Sequence, residues 1–191
     1  NRAWLTVSSI TWRSVTGLAS CRRRPQRTIR VCGNGLCRDI STDAEPDTLH
    51  LSAYADGSTS LFQLNGSNIT VNVDEFHILS NQWSGTSNMV TTLEYVVDAD
   101  GVSTIITEVT GIGEGNGTSH LVIRDPGVTL NTNDIVLIQT TGTTDILGAG
   151  EFDTMNGGSA AEAALLYLNN KIYSLTYQYD ADGDNVDNDI A

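Results

Sequence analysis

The richest concentration of groups that could do chemistry is an acidic run, Asp180-Ala181-Asp182-Gly183-Asp184-Asn185-Val186-Asp187-Asn188-Asp189. Carboxylates at alternate positions around a glycine turn can converge on one Ca²⁺, a hard cation that takes about six to eight oxygen ligands. Asp180, Asp182, Asp184, Asp187 and Asp189 are therefore the candidate metal ligands, and Ca²⁺ is the candidate cofactor. The EF-hand pattern is not matched. It places glycine at the sixth loop position and glutamate at the twelfth, whereas Gly183 comes fourth and no glutamate follows. The competing reading is a solvated acidic turn.

Part of this run belongs to a repeat. Leu-x-Tyr-x-x-Asp-Ala-Asp-Gly occurs at Leu93, Tyr95, Asp98, Ala99, Asp100 and Gly101, and again at Leu175, Tyr177, Asp180, Ala181, Asp182 and Gly183. Tyr54-Ala55-Asp56-Gly57 is a shorter echo. Each copy is an apolar or aromatic alternating run that stops at an acidic turn. Asp98 and Asp100 lack a third carboxylate and are expected to form only a turn.

No catalytic set emerges from the remaining residues, and no enzyme is expected. His50, His77 and His120 are scattered, and a hydrolytic triad would need a nucleophile and an orienting acid to converge on one of them. Neither G-x-S-x-G nor H-E-x-x-H is present. With 23 acidic residues, nearby carboxylate pairs are inevitable and do not identify glycosidase chemistry. Gly111-Ile112-Gly113-Glu114-Gly115-Asn116-Gly117 departs from the dinucleotide-binding fingerprint at Asn116, and is expected to be a linker or tight turn. Three sequons, at Asn65, Asn68 and Asn116, are expected by chance in so Asn-, Ser- and Thr-rich a chain. Tyr173, Tyr177 and Tyr179 could line a glycan platform, but at alternating spacing they read first as the buried side of a sheet.

The 191 residues are enough for one domain or two small ones. The net charge of −13 divides sharply. Residues 1–38 hold eight Arg and no acid, while residues 39–191 hold all 23 acids against Arg124 and Lys171. Three readings of the basic segment stand side by side. It could bind nucleic acid or an anionic surface, it could be a targeting sequence, or it could be an extension outside the fold, non-native or disordered. Nucleic acid is not the favoured partner. The segment also holds all three cysteines, Cys21, Cys32 and Cys37. The Cys32–Cys37 spacing admits a disulfide or metal loop, although no histidine lies nearby for zinc and an odd count weakens a disulfide framework. No stretch approaches the ~20 apolar residues of a transmembrane helix. A start at Asn1 rather than Met suits a fragment.

Short strands punctuated by turns must position these groups. Few Lys and many Thr, Ser, Asn and Gly suit strands and turns rather than helices. Asp56-Gly57 and Asp98–Gly101 read as hairpin turns, the latter joining Met89–Val97 to Val102–Thr110. Ser159–Leu168 could hold one short helix, but also allows a strand. The pattern predicts an all-β fold, either a parallel β-helix or solenoid or a sandwich-like stack of sheets, with at most one short helix near 159–168. The expected regions are a basic segment over 1–40, a β-rich region over 41–110 and a terminal β-rich unit over 111–191.

Several motifs in order carry a resemblance: Asp125-Pro126-Gly127-Val128-Thr129-Leu130, Asp134-Ile135-Val136-Leu137-Ile138, Gly150-Glu151-Phe152, Asn156-Gly157-Gly158, Tyr173-Ser174-Leu175-Thr176-Tyr177 and Asp182-Gly183-Asp184. Together they resemble the terminal unit of bacterial secreted and surface proteins with autotransporter-associated β-strand repeats. The resemblance covers residues 125–191 and implies an extracellular all-β stalk or passenger with no catalytic residues. The expected function is structural or adhesive, at a secreted or cell-surface location, with calcium stabilising the fold. Expected partners are surface or matrix glycans, or further copies of the chain in an oligomer. The alternatives are a carbohydrate-binding or catalytic module of a secreted polysaccharide-acting enzyme, and a self-assembling filament or fibre subunit.

Overall fold

The computed structural model describes residues 11–15, 30–33, 36–39, 48–52, 59–67, 69–80, 90–115, 117–125, 127–143, 146–148, 150–169, 171–179, 181, 183 and 189–191. The strands in chain order are β1 (Thr11–Val15), β2 (Arg30–Gly33), β3 (Leu36–Asp39), β4 (Thr48–Ser52), β5 (Thr59–Asn65), β6 (Ile69–Asn72), β7 (Glu75–Ser80), β8 (Val90–Val96) and β9 (Thr104–Thr107). They continue as β10 (Val109–Gly115), β11 (Thr118–Arg124), β12 (Ile138–Thr140), β13 (Leu147–Gly148), β14 (Thr154–Met155), β15 (Gly158–Ser159), β16 (Leu165–Leu168) and β17 (Lys171–Ser174). No helix occurs among the described residues, and none is long and apolar enough to cross a membrane.

The order of pairing is regular. A first sheet joins β4, β7, β10 and β13, a second joins β5, β8, β11 and β14, and a third joins β6, β9 and β12, all in parallel. From β4 to β11, each strand therefore pairs with the strand three later in the chain. Antiparallel strands extend the sheets at their margins: β1 lies on β5, β2 on β6 with β3 beyond it, and β15 on β14. The β7–β10 and β8–β11 pairs carry the ladder from residues 75–96 to residues 109–124.

Period-2 alternation explains why these segments are strands. In β11 the buried positions are Ser119, Leu121 and Ile123, and in β9 they are Ile105 and Thr107. Because the register keeps equivalent residues opposite each other, the inward side chains form columns. Phe62, Leu93, Leu121 and Met155 make one, Leu64, Tyr95 and Ile123 a second, and Leu51, Ile78 and Ile112 a third. All belong to one contiguous core shared by the three sheets. Burying a large apolar side chain contributes about 1.5–3 kcal/mol, so the columns are the main source of cohesion.

The two turns read as hairpins stand differently: Asp56-Gly57 lies outside the described residues, and Asp98–Gly101 is a corner between sheets. β4 pairs with β7 and β5 with β8, so Asp56-Gly57 does not join partner strands. β8 and β9 likewise lie in different sheets, and Asp98–Gly101 carries the chain between them. A local turn motif reports a reversal of direction, but the strand's pairing partner is set by the layer above or below. The glycine-rich segment is also corrected, because residues 111–115 belong to β10, with a register shift between Ile112 and Glu114 and Gly113 at φ 68°. A backbone ladder on both sides requires no side chain there. The helical option over 159–168 is not taken up: strand and turn occupy it.

The described residues of 160–191 add to the same core. Leu166, Leu168, Leu175 and Tyr177 are buried in the same cluster as Phe152 and Met155, and Ile190 bridges Ile138. The aromatic face of 173–179 thus points largely inward, as its alternation predicts. Both Leu-x-Tyr lead-ins are buried, and each tyrosine hydroxyl donates to a carbonyl, Tyr95 to Leu137 O at 2.7 Å and Tyr177 to Ala160 O at 2.7 Å. Leu165, Tyr167 and Ile172 face outward from the β16–β17 hairpin.

Leu93→Ala should lower unfolding free energy by about 2–5 kcal/mol in urea denaturation, because it empties the centre of a four-residue column. Gly142→Ala should cost about 1–3 kcal/mol by the same measurement. Its added Cβ would collide with the Glu108 carbonyl oxygen, so backbone must shift to admit it.

Candidate functional site: a polar face with carboxylate clasps

The second sheet presents a built polar cluster on its outer side. In β8 the residues Thr91, Leu93 and Tyr95 fill the inward positions, so Glu94 belongs to the opposite face. It is nevertheless only 4% exposed. The register explains this, since Gln63 of β5 lies directly opposite on one side and Arg124 of β11 lies diagonally on the other. Gln63 Nε2 donates to Glu94 Oε1. Arg124 Nε donates to Oε1 at 3.1 Å and Nη2 to Oε2 at 2.9 Å. One carboxylate thereby ties three successive strands.

The electrostatics follow from these contacts. The Arg124 hydrogen bonds hold the Glu94 carboxyl below its ordinary value, outweighing the upward push of burial, with Gln63 adding to the effect. Arg124 in turn is raised by the same pair. Both oxygens of the Glu94 carboxylate thus accept from side chains of the neighbouring strands. Arg124 has five N–H donors, and its guanidinium is largely exposed, so this face can offer planar donors to an anionic or hydroxyl-rich ligand. Beside it, Thr92, His120 and Thr154 form an adjacent column, with His120 Nδ1 hydrogen-bonded to Thr154 Oγ1.

At the corners, side-chain oxygens take up backbone N–H groups from neighbouring layers. Asp98 Oδ2 accepts from Ser67 N at 2.7 Å and Ser67 Oγ at 2.9 Å, while Oδ1 accepts from Asp100 N and Gly101 N within its own turn. Asp153 Oδ2 repeats the first half of this arrangement on Ser119 N and Oγ, at 2.7 and 2.9 Å. Asn156 accepts from Ile123 N and donates to Ile123 O, continuing the ladder with a side chain. Burial pushes the Asp98 carboxyl up, but the hydrogen bonds from Ser67, Asp100 and Gly101 together outweigh it and leave it below its ordinary value.

Of the five candidate calcium ligands, Asp189 is the one among the described residues. It is fully buried, accepting from Thr140 N through Oδ1 and from Ala181 N at 2.6 Å through Oδ2. Its backbone also pairs with Tyr179. Asp189 therefore acts as a clasp of the same kind as Asp98 and Asp153. Asp180, Asp182, Asp184 and Asp187 lie outside the described residues. Among the described residues no group of three or more His, Cys, Asp or Glu is placed to hold a metal ion. Of the histidines, His77 lies 3.8 Å from Glu75 and is the register partner of His50 in the first sheet, while His120 is in the second.

Sequence reasoning missed Glu94, Arg124, Asp153 and Asn156. A lone charged residue inside the β8 pattern was the available signal for Glu94. Its partners become visible only once the inter-strand register is known. No protein-family model, curated protein or solved structure matches the chain.

Both depressed carboxyls make the same prediction for acid stability. Their folded values lie below the ordinary 4.5 of Glu94 and 3.8 of Asp98, so the unfolded chain binds more protons in that window. The stability they contribute is present above the ordinary values and is lost as pH falls through the folded ones. Urea midpoints measured from about pH 6 down to about pH 3 should decline, and should decline less steeply in the Glu94→Gln/Asp98→Asn variant.

Proposed function

We propose that this chain is a parallel β-helix serving as a structural or adhesive part of a secreted or cell-surface bacterial protein. The observation that carries the reading is the pairing of each central strand with the strand three later, in parallel and in register across three sheets. Layers recur roughly every 30 residues, within the period range of stacked-repeat proteins. Such a stack grows by adding layers, each needing only its neighbours, and so suits a stalk. The resemblance of residues 125–191 to the terminal unit of surface proteins with autotransporter-associated repeats supports the same assignment.

The chemistry of the surface favours binding over catalysis. The carboxylate of the outer polar cluster is paired with Arg124, whereas a glycosidase requires two carboxyl groups free to act on a bond between them. The exposed guanidinium and the Thr92–His120–Thr154 column are the groups we assign to contact glycan hydroxyls or acids. Incubation with a panel of neutral and acidic soluble polysaccharides should leave their chain lengths unchanged while some are retained by immobilised protein. Shortened chains would transfer the assignment to a polysaccharide-acting enzyme. Loss of retention in Arg124→Ala, with the fold intact by circular dichroism, locates the contact.

Calcium at the acidic run is part of the proposal, with Asp180, Asp182, Asp184 and Asp187 as ligands. Saturation at a hundred times the dissociation constant would add about 2.7 kcal/mol. A melting midpoint that is the same with calcium and with chelator removes the metal from the reading. Asp189→Asn should destabilise by about 1.5–3 kcal/mol under both conditions, because its partners are backbone N–H groups.

A further inference from the structure

We propose that Cys32 and Cys37 are a disulfide-forming pair across the β2–β3 ladder. The register sets Cys32 directly opposite Cys37, one step from the Gly33–Leu36 pair where the two strands meet. Directly opposite residues in an antiparallel pair have Cα atoms about 4.5 or 5.5 Å apart, according to their place in the hydrogen-bonding pattern, and share a face of the sheet. A disulfide requires a Cα separation of about 4.4–6.8 Å. Both separations fall within that range.

The rest of the fold holds this juxtaposition in place. β2 is also paired along its length with β6, where Cys32 lies opposite Thr70. The two cysteines are thus aligned by a sheet that includes the layered body, and not by the short connection alone. This accounts for an odd cysteine count as one pair plus Cys21. It also fits an oxidising extracellular setting, although the inference does not depend on the proposed function.

The bond forms by two exchanges with a low-molecular-weight disulfide such as oxidised glutathione. One cysteine thiolate attacks a glutathione sulfur, breaking its S–S bond and releasing one glutathione thiolate. The second cysteine thiolate attacks the protein sulfur of the mixed disulfide, forming the Cys32–Cys37 bond and releasing the second glutathione. Two protein protons leave to solvent or to the glutathione thiolates, and the oxidised glutathione is reduced.

Peptide mass spectrometry tests this on the full chain. After equilibration with oxidised glutathione and alkylation of remaining thiols, tryptic cleavage at Arg30 and Arg38 releases Val31–Arg38 with both cysteines. The expected product is this peptide lighter by two hydrogens and unalkylated, with Cys21 alkylated. Alkylation of Cys32 and Cys37 to the same extent as Cys21, or a bond between Cys21 and either of them, overturns the proposal. A Cys21→Ser chain separates alignment by the fold from mere proximity in sequence. Its equilibrium constant against glutathione should be at least about tenfold more favourable in buffer than in urea, or about 30 mV. Equal constants would show that the sheet contributes nothing to the pairing.

Discussion

The backbone ladder between strands three apart in the chain is the constraint on which everything else depends. Once Thr59–Asn65 lies beside Val90–Val96, and Val90–Val96 beside Thr118–Arg124, the neighbours of every side chain are decided. Inward residues must stack on residues of like character, and outward ones must tolerate a partner directly above and below. Phe62, Leu93, Leu121 and Met155 satisfy the first demand. Gln63, Glu94 and Arg124 satisfy the second with hydrogen bonds. The ladder also continues beyond the strands, through Gly66 N to Val96 O and Val97 N to Arg124 O, so the layers stay aligned around the corners.

Corners pose a different problem. A chain leaving one sheet for the next exposes N–H groups that no strand can take, and buried donors must find acceptors. Short acidic and amide side chains supply them. Asp98, Asp153, Asn156 and Asp189 each accept from backbone of a neighbouring segment, and the charge of the aspartates makes those bonds stronger than neutral ones. An excess of carboxylates that looks on composition like metal chemistry or solubility is thus, at these positions, part of what fastens one layer to another.

Several features are legible in the sequence. The run Val102–Thr110 reads as strand and contains β9, and the alternating tyrosines of 173–179 read as the inward side of a sheet, which the structure largely buries. Turn residues located changes of direction at Asp98–Gly101. The error lay in what those turns join, because an Asp-Gly turn between two apolar runs has the same local chemistry in a hairpin and at a corner between sheets. Glycines 111 and 113 misled for a related reason: a strand paired on both sides can dispense with side chains that a lone segment would need.

The sequence by itself therefore determined the all-β character of the described residues, the inward side of 173–179 and the reversal at Asp98–Gly101, since these follow from side-chain periodicity and local turn chemistry. Tertiary structure alone decided which strands pair, and with that the partners of Glu94, Asp98, Asp153 and Asp189. The physical reason is distance along the chain. Ser67 and Asp98, or Ser119 and Asp153, are 31 and 34 residues apart, and no local propensity links them until parallel pairing brings the layers together.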